Sequence, residues 1–423
     1  MPSIAPSEPA QPEPTLIGRA GRFYFPIALL ARLPYAMVVI GVLTLVVSAR
    51  DSVELGGLNS AMVGLGVAGF GPLIGAAADR FGQRATLLVV GAANSALLLV
   101  LAWVAFSPAP VWVLFVSSFL VGATAPQTSP MSRSRLVTIV STELPVRRRP
   151  RVMSTVQAYE SAADETIFVF GPVAVGLLAT TLGAWAPVVG AAILTVVFVG
   201  AFALHRTGRP AVSAAERAAT LAPASELRKP ALLVTVFGIF SVGLFFGSML
   251  TSLTAFMQDR GNAEGAGLVY GIMGIGSAAF AIGVALLPAR FALRARWLVF
   301  AGTILAGGLL LQTATDLPRM IASLALMGIG IGPLLVTLYS FGAHRSPVGR
   351  SATVMTVLGS AIMVGQSLAA AVAGVVSAQS GTAAALLLPL VSSALAVLAG
   401  IVNWFLTPAG REAPLSTGRV EAV

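Results

Sequence analysis

Four ionisable residues stand where long apolar stretches would hold them. These are Arg32, in Ala-Leu-Leu-Ala-Arg-Leu-Pro, and Glu160, Asp164 and Glu165, in Tyr-Glu-Ser-Ala-Ala-Asp-Glu-Thr. A charge near the centre of a bilayer costs roughly 2.5–3.5 kcal/mol on insertion scales, so such groups face a partner or a cavity. Glu160 and Asp164 are four apart and share a helix face, while Glu165 points about 100° away. Carboxylates that crowd one another hold a proton more readily, and a guanidinium opposes that. The expected constellation is therefore a pair between Arg32 and Asp164 or Glu165, able to exchange a proton, with Glu160 solvated near the headgroups. A purely structural ion pair fits the same residues.

Uncharged polar residues in apolar surroundings are candidate contacts for a small molecule, chiefly Gln127, Tyr339 and Gln366. Hydrogen bonds between helices would use the same side chains. Other chemistry is excluded by composition. The chain has no cysteine and only His205 and His344, both at segment ends, so thiol, disulfide and His/Cys metal chemistry are ruled out and no cofactor is expected. Its one lysine, Lys229, lies outside any Gly-x-x-x-x-Gly-Lys-Ser/Thr phosphate loop, which excludes ATP-driven work by this chain alone. Without His or Cys beside the acids, an enzyme is not expected.

The elements that must position these residues follow from composition. Apolar residues make up 57% of the 423 and charged residues 10%, against about 25% charged in a soluble domain. Twelve apolar runs lie near the ~20 residues that cross a bilayer as a helix: 25–48, 57–77, 85–106, 111–131, 161–181, 184–204, 231–256, 268–287, 297–315, 320–342, 352–378 and 383–406. They do not alternate as barrel strands would. The first run is too long for a signal-peptide core and is read as an uncleaved helix. With a cytoplasmic N-terminus, 22 of the 26 basic residues fall on cytoplasmic segments and 3 on the other side, with Arg32 inside a span. That asymmetry accounts for the +10 net charge, and nucleic-acid binding is not needed to explain it.

Between the second and third runs the chain reads Gly71-Pro-Leu-Ile-Gly75-Ala-Ala-Ala-Asp79-Arg80-Phe-Gly82-Gln-Arg84. Gly75, Asp79, Arg80, Gly82 and Arg84 resemble the loop 2–3 signature of the major facilitator superfamily, with Gln83 where that family usually has a base. Moving the second half back by 210 residues sets Ala289-Arg290-Phe291-Ala292-Leu293-Arg294 beside Asp79–Arg84. Gly171-Pro172, followed by Gly176, resembles part of the span 5 signature of proton-coupled exporters.

The resemblance covers nearly the whole chain. It implies an all-α membrane protein of twelve helices, in two six-helix bundles related by a pseudo-two-fold axis. The expected organisation is a disordered cytoplasmic N-terminus (1–22), a first bundle (23–204), a cytoplasmic linker (205–230), a second bundle (231–406) and a cytoplasmic tail (407–423). It also implies secondary transport of a small molecule by a monomer in the inner or plasma membrane, both termini cytoplasmic, most readily as proton-coupled efflux. A facilitator or importer on the same fold, or a non-transporting scaffold or sensor, are the alternatives. Asp79, near the start of span 11 with Ser351 as its N-cap, is expected to latch the halves, helped by Arg133 or Arg135 at the foot of span 4. Arg80 and Arg84 belong to the same gate motif, with simple positive-inside anchoring as the alternative reading.

Overall fold

A computed structural model describes residues 14–208, 221–261, 266–288 and 291–407, and the side chains of residues 53, 54, 165, 168, 169, 172, 173, 267 and 268 are left undescribed. Among the described residues the chain is helical, with eleven helices long and apolar enough to cross a membrane. A twelfth, Arg149–Leu182, is longer still and carries its acids, Glu160, Asp164 and Glu165, in its first half. In chain order the spans are α1 (Tyr24–Arg50), α2 (Val53–Phe81), α3 (Gln83–Phe106), α4 (Val111–Glu143), α5 (Arg149–Leu182) and α6 (Ala186–Leu204). The second six are α7 (Pro230–Gln258), α8 (Ala266–Gly283), α9 (Leu293–Leu311), α10 (Leu317–Arg345), α11 (Ser351–Ser380) and α12 (Thr382–Leu406). They form two six-helix bundles, which meet where α2 packs on α11 and α5 packs on α8 and α10.

Three spans are broken, each near a proline, and of these α12 pauses only at Leu386, ahead of Pro389. Pro34 has no N–H for the Leu30 carbonyl, and α1 divides into Tyr24–Leu30 and Leu33–Arg50, with Arg32 at the joint. Pro126 does the same to the Gly122 carbonyl, so α4 divides into Val111–Ala123 and Thr128–Glu143. Span 4 was expected to end at residue 131. It runs a further three turns, and this carries Arg133 and Arg135 into a buried helix face.

Span 5 departs further from the apolar pattern. It starts at Arg149 rather than 161, because Pro150 opens a helical first turn through a polar stretch. Residues 16–20, expected within a disordered head, form a short helix capped by Thr15. In the linker, Arg206–Gly208 and Ala224–Arg228 form short 3-10 turns. The head before residue 14, most of the tail after 407, and Ala289 and Arg290 of the second motif copy lie outside the described residues.

Burial differs along the seam. At the end where the arginines gather, called here the basic end, Gly330–Ala343 of α10 and Ala352–Thr356 of α11 are buried. Towards the opposite end α11 opens to its surroundings at Leu368, Val372 and Val375. The bundles are thus packed together along α10 and α11 towards the basic end.

Candidate functional site

The broken α1, the lower half of α4 and α5 bring four charges together. Arg32 donates to the Glu160 carboxylate in a close ion pair, and its Nη1 lies 3.2 Å from Asp164 Oδ1. Asp164 is shared, because its Oδ2 accepts from Arg133 Nη2 at 2.7 Å. Neutral donors fill the remaining positions: Ser132 Oγ on Glu160 Oε1 at 2.8 Å and Ser129 Oγ on Asp164 Oδ2 at 2.9 Å. Arg133 Nη1 donates to Gln157 Oε1 at 3.2 Å, and Tyr24 shares a 2.9 Å hydrogen bond with Ser132 Oγ.

Arg32 and Glu160 are 3% and 0% exposed, while the Asp164 side chain is 23% exposed, so the cluster is desolvated around Arg32 and Glu160 and partly open at Asp164. Two arginines balance two acids, as burial requires; breaking one side of such a pair costs about 3–5 kcal/mol. The cluster belongs to the first bundle but reaches across the seam, where the Arg133 guanidinium stacks 3.7 Å from the centre of the Tyr339 ring on α10. Such a contact contributes roughly 0.5–2 kcal/mol.

Glu160 is therefore not the solvated residue expected. It sits three turns inside α5 because the helix begins at Arg149. Glu165 is on the same helix, but its side chain lies outside the described residues.

The loop 2–3 motif makes a second junction. Asp79 Oδ1 accepts from Ala352 N–H at 3.0 Å, and Oδ2 accepts from Thr353 N–H and Thr353 Oγ1 at 2.7 and 2.6 Å. The first N–H groups of α11 are thereby capped by a carboxylate from the other bundle, and Ser351 does not act as the cap. Gly75 permits this, since a Cβ there would collide with Thr356 Oγ1 and the Ala352 carbonyl. Gly82 turns the chain at φ +96°, which suits glycine.

Arg133 and Arg135 do not pair with Asp79 as expected. Arg133 is taken by Asp164, and Arg135 donates to Gln83, Phe202 and Thr207. Arg80 lies over its neighbour Phe81, 5.3 Å from the ring centre, and Arg84 is half-buried at the head of α3.

The remaining residues scatter. Gln127 is buried at the α4 break, where its amide donates to the Ala125 carbonyl at 3.0 Å. Gln366 lies half-buried on α11, outside the charge cluster. Gly171 lets α5 approach α1, where a Cβ would come 2.7 Å from Ala36 Cβ. Gly176 meets nothing within 4 Å, and the Pro172 side chain lies outside the described residues. At the basic end the bundles enclose a vestibule of about 1850 Å³, whose inner wall includes Val137, Met153, Ser340 and Phe341. Arg133 and Gln157 are not part of its wall.

Ser129, Ser132 and Gln157 complete the cluster without having been singled out. Their signal was helical spacing: Gln157, Glu160, Ser161 and Asp164 recur at i, i+3, i+4 and i+7, and Ser129, Ser132 and Arg133 at i, i+3 and i+4.

Fold and site together define a polytopic secondary transporter of two six-helix bundles. The chain belongs to the Major Facilitator Superfamily, whose family model matches residues 24–358. Solved structures share the fold at low identity. The human organic anion transporter MFSD10 is 17% identical, with 92% of this chain and 100% of that one covered, at a TM-score of 0.67. An outward-facing bacterial homologue of the iron transporter ferroportin is 13% identical, with 90% and 98% covered, at 0.72. The proton:xylose symporter XylE is 14% identical, with 91% and 95% covered, at 0.65. No curated protein is significantly similar to the chain in sequence.

Proposed function

We propose that this protein exports a small molecule in exchange for protons, by alternating access, with Asp164 carrying the proton. The observation behind this is the Arg32–Glu160–Asp164–Arg133 cluster, buried in one bundle and stacked on the other through Tyr339. A proton arriving from the side opposite the basic end would settle on an Asp164 carboxylate oxygen and cancel its charge. Arg133 would then be released from Asp164 while still stacked on α10. Rocking of the bundles would expose the carboxyl to the other side, where the proton leaves and Arg133 is recaptured. Substrate would occupy the deprotonated, re-paired form, so that cargo and proton travel in opposite directions.

The basic asymmetry supports cytoplasmic termini in an inner or plasma membrane, and the domain boundaries given above remain our reading. Gln127, Tyr339 and Gln366 are the proposed cargo contacts, of which Tyr339 is already engaged by Arg133. The neighbours differ too widely in cargo, from organic anion to iron to xylose, for the fold to choose a substrate.

The balanced charge of the cluster favours a second reading. Two acids matched by two arginines need no proton, and a facilitator could use the cluster as a fixed tie. Reconstitution separates the two. Proteoliposomes under an imposed pH gradient are screened with a small-molecule panel, using wild type, Asp164→Asn and Glu165→Gln. The exchanger reading expects pH-driven flux of at least one compound that Asp164→Asn abolishes. Equal flux in wild type and both variants, or flux that ignores the gradient, would remove proton coupling and leave the facilitator.

A further inference from the structure

Among the described residues, the vestibule wall holds a buried cation with no acid beside it. Arg135 is 4% exposed, and its partners are all neutral: Gln83 Oε1 at 3.1 Å, the Phe202 carbonyl at 3.0 Å and Thr207 Oγ1 at 3.1 Å. Its guanidinium also lies over the Phe202 ring at 4.0 Å. Nη2 is buried beside Gly208 and has no hydrogen-bond partner. Among the described residues no carboxylate lies within 4 Å of it. The two acids in the vestibule wall are committed elsewhere, Asp79 to the α11 N-terminus and Glu143 to Arg19 at 3.7 Å. Anchoring by positive charge at a membrane face is served by exposed arginines, and it does not explain a guanidinium that has been desolvated. Burying an unpaired charge costs several kcal/mol.

Two further features face the same wall. Arg206, just beyond α6, has its Nη2 on the carbonyls of Gly18 and Arg19, both at 3.0 Å. The 24-residue α3 begins at Gln83 with Gly82 as its N-cap, so no side chain satisfies its first N–H groups and the positive end of its dipole is unscreened. Gln83, Thr138, Arg206 and Thr207 line the vestibule with Arg135. Oriented N–H groups beside arginines are the arrangement that binds phosphate oxygens.

We propose that this wall binds a phosphate-class oxyanion, from a lipid headgroup or free in solution, with Arg135 and Arg206 as its charged ligands and Gln83, Thr138 and Thr207 as its neutral ones. The site is separate from the buried Arg32–Asp164 cluster and requires nothing of the transport reading. An anion here would supply the counter-charge that Arg135 lacks. It would also join the loop 2–3 motif, through Gln83, to the end of α6.

His205 provides a reporter. It lies between the two arginines in sequence and charge, and burial, then Arg135 and Arg206, hold its pKa below the ordinary histidine value. In purified full-length protein with labelled histidine, His344→Gln leaves His205 as the only signal. Inorganic phosphate is titrated against chloride at constant ionic strength. The expected result is a saturable shift of the His205 resonance and a rise in its pKa, with affinity at least tenfold weaker in Arg206→Gln and in Arg135→Gln. Arg206 is exposed, so its variant carries the test even if Arg135→Gln fails to fold. Nanodiscs of phosphatidylglycerol without added phosphate, compared with phosphatidylcholine, distinguish the sources: a shift there assigns the headgroup, and a shift with phosphate alone assigns the free anion. No saturable response to phosphate or phosphatidylglycerol, or an undiminished response in Arg206→Gln, would overturn the proposal.

Discussion

A guanidinium between two carboxylates, with a second guanidinium behind it, keeps this arrangement while all four hold their charge. Removing one acid leaves a buried arginine uncompensated. Glu160→Gln is therefore expected to lower stability by about 3–5 kcal/mol, seen as a large drop in the denaturation midpoint in detergent, whereas an exposed change such as Arg151→Gln should leave it nearly unchanged. Tyr339 is a milder case. Tyr339→Phe keeps the ring over Arg133 and should preserve the midpoint, while Tyr339→Leu should lose roughly 0.5–2 kcal/mol. Arg32 and Asp164 are legible in sequence because a charge inside an apolar run is conspicuous. Glu160 is not, because the residues before it read as a polar loop. Nothing in hydropathy reveals that Arg149 to Gln157 is helical and sets Gln157 against Arg133.

Helices meet across the seam only where their surfaces allow it. Gly75 is the contact point of α2 with α11, and the Asp79 cap depends on that closeness. Gly75→Val is expected to push the two helices apart at the basic end. The check is a cysteine at Thr356 on this cysteine-free background: its labelling by a soluble maleimide should rise several-fold in Gly75→Val and stay unchanged in Gly176→Val, where no neighbour is within 4 Å.

At the end of α6, His205 has a lowered pKa, so the folded protein binds this proton less readily than the unfolded chain. Its contribution to stability is complete above the ordinary histidine pKa of about 6.5 and is lost as pH falls below it. His205→Asn should show a smaller loss of thermal midpoint than wild type between neutral and mildly acidic pH. The difference will be small, since His205 is only partly buried. The apolar runs revealed the twelve spans, but the breaks at Pro34 and Pro126 and the extended ends of α4 and α5 depend on hydrogen bonding and polar faces, which hydropathy does not weigh.

The whole molecule is two related halves with unlike ends. The 210-residue register that aligns the loop motifs also aligns Arg135 with Arg345. Each ties its helix to the end of the sixth helix of its bundle, Arg135 from mid-helix at Phe202 and Thr207, Arg345 from the last turn at Asn403 and Thr407. The acid is not repeated, because Ala289 stands where Asp79 would be, so the cap on α11 makes the seam asymmetric. A carboxylate at a helix N-terminus contributes about 0.3–1 kcal/mol, up to ~2 when partly buried. That is enough to bias two states of similar energy.

Spin labels at Arg84 and Val348 report on the basic end, and labels at Leu58 and Gln379 report on the other. If the bundles rock about a central site and the Asp79 cap holds the basic end shut, Asp79→Asn lengthens the Arg84–Val348 distance and shortens the Leu58–Gln379 distance in the same sample. Distances that stay fixed, or that change at one end only, would contradict alternating access controlled by this cap.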